Sequence, residues 1–167
     1  MSKSPAPPFG FLLRHPAHVI ACGFGSGLSP WAPGTAGTLF AWLAYAPLRE
    51  WLPVDAAFGV FLLLAFAVGV AACQITGRAL GVIDHGSIVW DEIVPFWAVL
   101  WLTPPTLAWQ AAAFAAFRFF DITKPPPADY FDQRVKNGFG VMMDDTVAAG
   151  FSIFVIATAK AALDAWR

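Results

Sequence analysis

The sequence predicts an all-α, polytopic helical membrane protein with about four to five membrane-associated helices and an acidic site at its cytoplasmic face. Of its 167 residues, 58% are hydrophobic and only 13% are charged, against roughly 25% charged in average soluble domains. Long uncharged runs recur along the chain, and clusters of carboxylates border them. Eight tryptophans and sixteen phenylalanines add aromatic bulk that suits a bilayer and its interfaces.

The first half of the chain predicts one irregular segment and two helices. Residues 23–37 contain five glycines and two prolines, which favours a loop. Residues 38–48 are apolar but short for a membrane span, so we expect a re-entrant or partly buried helix there. Residues 56–77 carry no charge and form the best transmembrane candidate.

The second half predicts a helical hairpin and a final helix. Residues 93–117 are uncharged, but Pro104-Pro105 interrupts them. A proline pair removes helical donors and clashes with the preceding turn. We therefore expect two helices, over 87–103 and 106–122, and a last apolar helix over 146–163.

The hairpin returns all the acidic clusters to one end of the protein, which also receives most of the basic residues. These are Lys3, Arg14, Arg78, Arg118, Lys124, Arg134 and Lys136. The positive-inside tendency makes that end cytoplasmic.

The organisation is simple: residues 1–14 predict a retained N-terminal tail, and residues 15–167 a single domain. A net charge of −1 gives no basic field for nucleic acid. His15 and His18, near the boundary, are expected at the membrane interface.

Eight of the eleven carboxylates lie between positions 84 and 145, beside the apolar runs. They are Asp84, Asp91, Glu92, Asp121, Asp129, Asp132, Asp144 and Asp145. A carboxylate beside a low-dielectric region is unfavourable unless a cation, a proton or hydrogen bonds compensate it. The clusters therefore predict one shared metal site near a membrane surface.

Two of the clusters admit two interpretations each. If Ser87 caps a helix, Asp91 and Glu92 fall in its first turns, where the helix dipole favours negative charge; metal ligation is the alternative. Asp144 and Asp145 precede an apolar helix and repel each other unless a cation lies beside them. Helix capping explains one member of that pair but hardly both.

Cationic side chains accompany Asp121. Because Arg118, Asp121 and Lys124 are spaced i, i+3 and i+6, they share a helix face. They form either an ion-pair ladder or a pair of cations that binds phosphate around a metal-binding Asp121. His85 acts either as a general acid toward a leaving group or through a structural hydrogen bond.

The glycine-rich segment offers a further candidate contact for phosphate. Irregular backbone can direct several amide N–H groups at phosphate oxygens, although small residues also permit close helix packing. The candidates are Gly25, Ser26, Gly27, Ser29, Gly34 and Thr35.

Four segments together, 23–38, 84–92, 117–125 and 140–145, resemble the bacterial phosphatidylglycerophosphatase A family. The resemblance implies an inner-membrane, Mg²⁺-dependent phosphatase that hydrolyses the terminal phosphomonoester of phosphatidylglycerophosphate, a phospholipid, to phosphatidylglycerol. It implies that six carboxylates bind the metal: Asp84, Asp91, Glu92, Asp121, Asp144 and Asp145.

For such an enzyme we expect direct attack by water, oriented by Asp91 or Asp145, with Arg118 and Lys124 stabilising the transferred charge. A transient phosphoenzyme on Ser26 or an aspartate stays open, as does the oligomeric state. A membrane alcohol phosphotransferase is an alternative, although its Asp-Gly-x-x-Ala-Arg motif is absent. An ion transporter is another, although it would place carboxylates near helix centres.

Overall fold

The computed structural model describes residues 5–166, and every regular element in that range is helical, which confirms the all-α prediction. Residues 1–4 of the predicted tail, which include Lys3, lie outside the described residues. Two 3₁₀ segments, Phe9–Arg14 and Gly23–Leu28, flank the first α-helix. The α-helices are α1 (Pro16–Ala21), α2 (Pro33–Trp51), α3 (Asp55–Leu80), α4 (Trp90–Trp101), α5 (Leu107–Thr123), α6 (Ala128–Arg134) and α7 (Gly138–Ala165).

Within the described chain, α3 and α7 are the two helices long and apolar enough to cross a membrane. They contain 26 and 28 residues, or about 39 and 42 Å of helix. α3 contains the whole span predicted at 56–77. α7 begins eight residues earlier than predicted, because Asn137 caps it by accepting the N–H of Gly140 at 3.0 Å. Asp144 and Asp145 therefore lie inside its second turn, not ahead of the helix.

The predicted break at Pro104-Pro105 is confirmed, since α4 ends at Trp101 and α5 begins at Leu107. Thr106 caps α5 with its hydroxyl oxygen. With only 12 residues, α4 is about 18 Å long, little more than half of a ~30 Å hydrocarbon core.

The predicted cap at Ser87 is wrong. α4 begins three residues later, at Trp90, and the preceding Val89 makes no side-chain cap. Ser87 instead donates its backbone N–H to Nδ1 of His85 at 3.1 Å, in a tight turn before the helix.

The loop predicted over residues 23–37 is wrong for its last third. Pro33 occupies the first position of α2, where its fixed φ and missing N–H suit a helix start. A Cβ at Gly37 would meet the side chain of Val89 at 2.7 Å. The glycine therefore lets α2 pack closely against the residues that lead into α4, as the close-packing alternative proposed.

α4 lies at the centre of the bundle, between α2, α3 and α7, and ten of its twelve residues are buried. Its tryptophans satisfy their N–H groups inside the protein. Trp90 donates to the carbonyl of Ala65 at 3.0 Å, and Trp97 to that of Ala41 at 2.9 Å. Because these bonds tie α4 to α3 and α2, they fix the position of the acidic turn that opens α4.

The N-terminal segments cover the C-terminal half of α3, and His18 is buried there, which contradicts its predicted interfacial position. The ring of His18 stacks on Phe11 with centroids 4.2 Å apart. Thr76 donates its hydroxyl to the carbonyl of Ala17, so it accepts the N–H of His18 Nδ1 at 2.9 Å. The imidazole is therefore held in one orientation.

This contact predicts a dependence of stability on pH. Burial, with the nearby charges of His15 and Arg14, lowers the pKa of His18. The unfolded chain then binds a proton that the folded chain does not, so stability falls as the pH drops through about 6.5. We expect the wild-type melting temperature to fall more steeply between about pH 7.5 and about pH 5.5 than that of His18→Gln. His15→Asn can keep its cap on α1 but removes the charge of His15, so its slope should lie between the other two. Equal slopes in the wild type and in His18→Gln would contradict the prediction.

Candidate active site

A pocket lies at the end of the bundle where α4 begins and α5 ends. Its walls come from the first turn of α2, the segment 82–88, the first turn of α4, the end of α5 and the second turn of α7. All six carboxylates that the resemblance implies as metal ligands line it: Asp84, Asp91, Glu92, Asp121, Asp144 and Asp145. The hairpin has therefore gathered residues that are 61 positions apart in the sequence.

Three of these carboxylates approach one another in each of two overlapping groups. In the first, ligand oxygens of Asp91, Asp144 and Asp145 all lie within 4.8 Å of one another. In the second, the same holds for Glu92, Asp121 and Asp145. Asp145 belongs to both groups and is almost completely buried. It therefore sits at the centre of the acidic pocket.

A third group joins Asp84 and Asp144 to Asp132 of α6, again within 4.8 Å. Asp132 is one of the eight acids between positions 84 and 145, but it is not among the six predicted metal ligands, because it lies in a polar stretch beyond the proline run at 125–127. Only the packing of α6 against α7 brings it near the pocket, and its spacing in the sequence gives no sign of this.

Two cationic side chains reach into the acidic pocket. Lys124 Nζ lies 2.7 Å from Asp144, 3.2 Å from Asp145 and 3.4 Å from Asp121. Arg118 pairs with Glu92 and, at 2.7 Å, with Asp121. The predicted ion-pair ladder along α5 is therefore present, and it extends to carboxylates on α4 and α7.

The pocket carries an excess of negative charge, with six carboxylates lining it against Arg118 and Lys124. Burial alone would lower the pKa of Lys124, but its three carboxylate neighbours outweigh burial and raise it. Lys124 therefore stays charged. A phosphate group would be repelled here unless further positive charge were bound.

His85 lies in the same pocket as a neutral donor. Burial lowers its pKa, although the charge of Asp84 acts in the opposite direction. Since Nδ1 accepts the N–H of Ser87, the proton of the neutral ring resides on Nε2. This arrangement favours hydrogen bonding over the general-acid role, because a neutral imidazole is a poor acid.

Thr38 is a pocket-supporting residue that sequence reasoning missed. It is completely buried in α2, and its hydroxyl lies 2.7 Å from Oε2 of Glu92. Arg118 reaches the same hydroxyl at 3.3 Å. Thr38 therefore orients the ion pair between Glu92 and Arg118, and a lone threonine in an apolar helix gives no sign of that in the sequence.

Gly34 and Thr35 line the pocket, as predicted. A Cβ at Gly34 would overlap the carboxylate of Glu92, so this glycine lets the backbone of α2 approach the acid directly. Its role is close approach to a side chain in a helix, not the flexible phosphate loop that the sequence favoured.

We expect Gly34→Ala to lower the activity that the family resemblance implies by about 100-fold, because the new methyl group must displace the Glu92 carboxylate, and misplacements of ~1 Å are that costly. The control is Gly150→Ala in α7, where a Cβ meets nothing within 4 Å. Alanine should hold or slightly raise stability there. Turnover and melting temperature of both variants measure the difference, and equal activity would contradict the role of Gly34.

The other four candidates from the glycine-rich segment, Gly25, Ser26, Gly27 and Ser29, are not among the residues that line this pocket. Ser26 donates its hydroxyl to the carbonyl of Gly23, and Ser29 to that of Trp31, both at 2.8 Å. A Cβ at Gly27 would collide with the backbone of Ser87. Phosphate binding by Gly25, Ser26, Gly27 and Ser29 stays a prediction.

The donor set suits a hard divalent cation. Carboxylate oxygens from α4, α5 and α7 converge, and Mg²⁺ and Ca²⁺ prefer oxygen ligands. Cysteine takes no part, since Cys22 and Cys73 are buried free thiols outside the pocket walls.

Comparisons with known proteins give a consistent result. Residues 19–160 match the family described as Phosphatidylglycerophosphatase A. Over 146 residues the chain is 49% identical to the phosphatidylglycerophosphatase A of Haemophilus influenzae, covering 86% of this chain and 88% of the relative. The corresponding figures for the phosphatidylglycerophosphatase A of Escherichia coli K12 are 42%, 86% and 83%. A Bacteroides thetaiotaomicron protein provisionally named a phosphatidylinositol-3-phosphatase is 40% identical, over 85% of this chain and 92% of its own. No solved structure gives a significant match.

Proposed function

The chain belongs to the phosphatidylglycerophosphatase A family, and from that premise we propose that it hydrolyses the terminal phosphomonoester of phosphatidylglycerophosphate. The products are phosphatidylglycerol and inorganic phosphate. The observation that carries the proposal is the pocket in which carboxylates of α4, α5 and α7 converge around Lys124 and Arg118. Clustered carboxylates with two cations are the groups that metal-assisted phosphoryl transfer requires.

The protein acts as a multi-pass protein of the bacterial inner membrane, with this pocket on the cytoplasmic side. Support comes from the two long apolar helices α3 and α7 and from the basic residues Arg118, Lys124 and Lys136 in or near the pocket. Asp144 and Asp145 lie near the start of α7, so the pocket is near one end of that helix.

Mg²⁺ is the proposed cofactor. The residues that would hold it are Asp145 and the four acids that share its two groups, Asp91, Asp144, Glu92 and Asp121. When bound, Mg²⁺ supplies positive charge for the phosphate oxygens and acidifies the attacking water. Two features support this choice: the oxygen-only donor set and the excess of carboxylates over cations in the pocket. The same excess explains why Lys124 and Arg118 alone do not suffice for a dianionic phosphate.

The chain's own groups account for the proton and charge transfers. Asp91 or Asp145 orients the water and accepts its proton as the oxygen bonds to phosphorus. The bond from phosphorus to the glycerol oxygen breaks, and the same proton then passes to that oxygen. Arg118 lines the pocket, so its guanidinium group can donate to a phosphate oxygen. Lys124 contributes a point charge beside it.

The test is phosphate release by the purified, lipid-reconstituted protein from phosphatidylglycerophosphate, measured with Mg²⁺ and with a chelator. Phosphatidic acid and phosphatidylinositol 3-phosphate are compared in the same assay, because one relative carries a provisional name for the latter activity. We expect Mg²⁺-dependent release with phosphatidylglycerophosphate as the preferred substrate. Trapping of labelled phosphate on the protein would overturn direct attack by water, and no release from folded protein would overturn the activity.

A further inference from the structure

α2 carries an exposed tryptophan at each end. Trp31, just before the helix, is 85% exposed, and Trp51, its last residue, is 88% exposed. The 19 residues of α2 span about 28 Å, close to the ~30 Å thickness of a hydrocarbon core. α2 is not one of the two helices that are long and apolar enough to cross a membrane, but exposed tryptophans at that separation match the spacing of the two bilayer interfaces. This match favours a position of Trp31 at the depth of the lipid headgroups.

The active-site pocket opens at the same level. Ala32 and Pro33, directly after Trp31, form one wall, and Ile122 at the end of α5 lines the pocket as well. Ile122 is also 71% exposed. A side chain that is both pocket lining and outer surface shows that the pocket reaches the side of the bundle there.

The cleft lies between two helix ends that side chains join further down. Trp42 of α2 stacks on Phe114 and donates to Gln110 of α5 at 2.9 Å. Nearer the pocket, Arg118 reaches Thr38 at 3.3 Å. One turn beyond this contact, the two helices line the pocket. The side-chain contacts between α2 and α5 therefore close the inner end of the cleft, and the pocket opens between the ends of the two helices.

The outer flanks of the cleft are apolar and aromatic. Phe119 of α5 is 61% exposed, one turn before Ile122. On the opposite side, the exposed Trp31 directly precedes Ala32, which lines the pocket. The interior, by contrast, holds Lys124, Arg118 and the carboxylates. This polarity gradient runs from an apolar outer edge at membrane depth to a charged interior, which matches a phospholipid with a terminal phosphate.

We infer that the cleft between the first turn of α2 and the last turn of α5 binds the glycerol-ester and upper acyl region of the lipid substrate. The lipid moves in sideways from the membrane, its acyl chains rest against Phe119 and Ile122, and Trp31 packs at the ester level. The headgroup then points inward to the carboxylates. This inference rests on the proposed function and specifies which part of the substrate the apolar cleft recognises.

The experiment compares two substrates on two double variants. The cleft variant is Trp31→Ser with Phe119→Ser. The matched control is Trp51→Ser with Phe154→Ser, two exposed aromatics at the other end of α2 and in the C-terminal half of α7. The substrates are dioleoyl phosphatidylglycerophosphate in vesicles and its water-soluble deacylated analogue, glycerophosphoglycerophosphate, which has neither the ester groups nor the acyl chains. For the cleft variant we expect KM for the dioleoyl lipid to rise about 10-fold with kcat preserved, since losing burial of one large apolar side chain has that effect. Its kinetics on the deacylated analogue, and both activities of the control, should change less than about twofold.

The single variant Trp31→Phe, which keeps an apolar ring, should retain most of the dioleoyl activity. If the cleft variant unfolds, the comparison of Trp31→Phe with Trp31→Ser decides the question, and equal KM values would overturn the inference. Equal losses on both substrates, or an unchanged KM in the cleft variant, would also overturn it while leaving the phosphatase activity intact. No release from either substrate by the wild-type protein would instead overturn the proposed function, and the docking site with it.

Discussion

Asp145→Asn should abolish most phosphatase activity while leaving the protein folded. Asp145 is the one carboxylate shared by the two groups that join α4, α5 and α7, so its replacement removes a cation ligand from both. We expect a loss of at least ~100-fold in turnover, since even weaker perturbations of metal sites cost 10–100-fold. Asparagine has the same shape, and its oxygen can still accept from Lys124, which lies 3.2 Å from the native carboxylate.

Stability should respond in the opposite direction. Without Mg²⁺, loss of one negative charge from a pocket with excess carboxylates relieves repulsion, so the melting temperature should hold or rise. With Mg²⁺, the wild-type protein gains stability by mass action and the variant should gain much less. The control is Asp164→Asn, an exposed acid paired with Lys160 near the end of α7. A variant with full activity and an undiminished response to Mg²⁺ would remove Asp145 from the cation site.

Lys124→Met should destabilise the Mg²⁺-free protein strongly. The ammonium group lies within 3.4 Å of Asp121, Asp144 and Asp145, and its removal leaves three neighbouring buried acids without that cation. Breaking a buried ion pair in this way costs roughly 3 kcal/mol, or on the order of 5–10 °C in melting temperature. Activity should fall as well, by about 100-fold, if the same charge assists phosphate.

Added Mg²⁺ should then stabilise Lys124→Met more than it stabilises the wild-type protein, because the metal would supply the missing positive charge. Differential scanning calorimetry of both proteins at increasing Mg²⁺ concentrations measures the rise in melting temperature. Lys160→Met, which breaks the exposed pair with Asp164, should shift the melting temperature little. If the Lys124 variant melts like the wild type without Mg²⁺, this ammonium does not hold the acids together.

The parts of the fold that depend on hydrophobicity and on proline were predictable. Apolar length identified α3, because a run without charge over 56–77 has few stable alternatives to a helix. Pro104-Pro105 fixed the turn between α4 and α5, since the covalent restriction of proline acts locally. The gathering of Asp91, Asp121 and Asp145 followed from that turn. These features rest on local chemistry, which a sequence displays directly.

The features that escaped prediction depend on contacts between distant segments. Gly34 is helical because α2 begins at Pro33. A glycine is needed at this position because a Cβ would overlap the carboxylate of Glu92. α7 starts early because Gly138 packs onto α3, donating its N–H to Gln74 at 2.8 Å. Composition favoured a loop at Gly34, since glycine is a weak helix former, and the length of the apolar run placed the start of the last helix at residue 146. Thr38 and Asp132 were missed for the same reason: their partners are far away in the sequence.

The close approach of Gly34 to Glu92 also bears on how this enzyme can diversify. The wall of the pocket that faces Glu92 is backbone, so no residue with a side chain fits there without moving the acid. Mutational drift, or a laboratory selection for other headgroups, has little freedom on that side. Val82, which lines the pocket yet remains exposed, can vary without such a penalty. Changes in headgroup preference among relatives should therefore accumulate at exposed lining positions of this kind, while the glycine wall resists substitution.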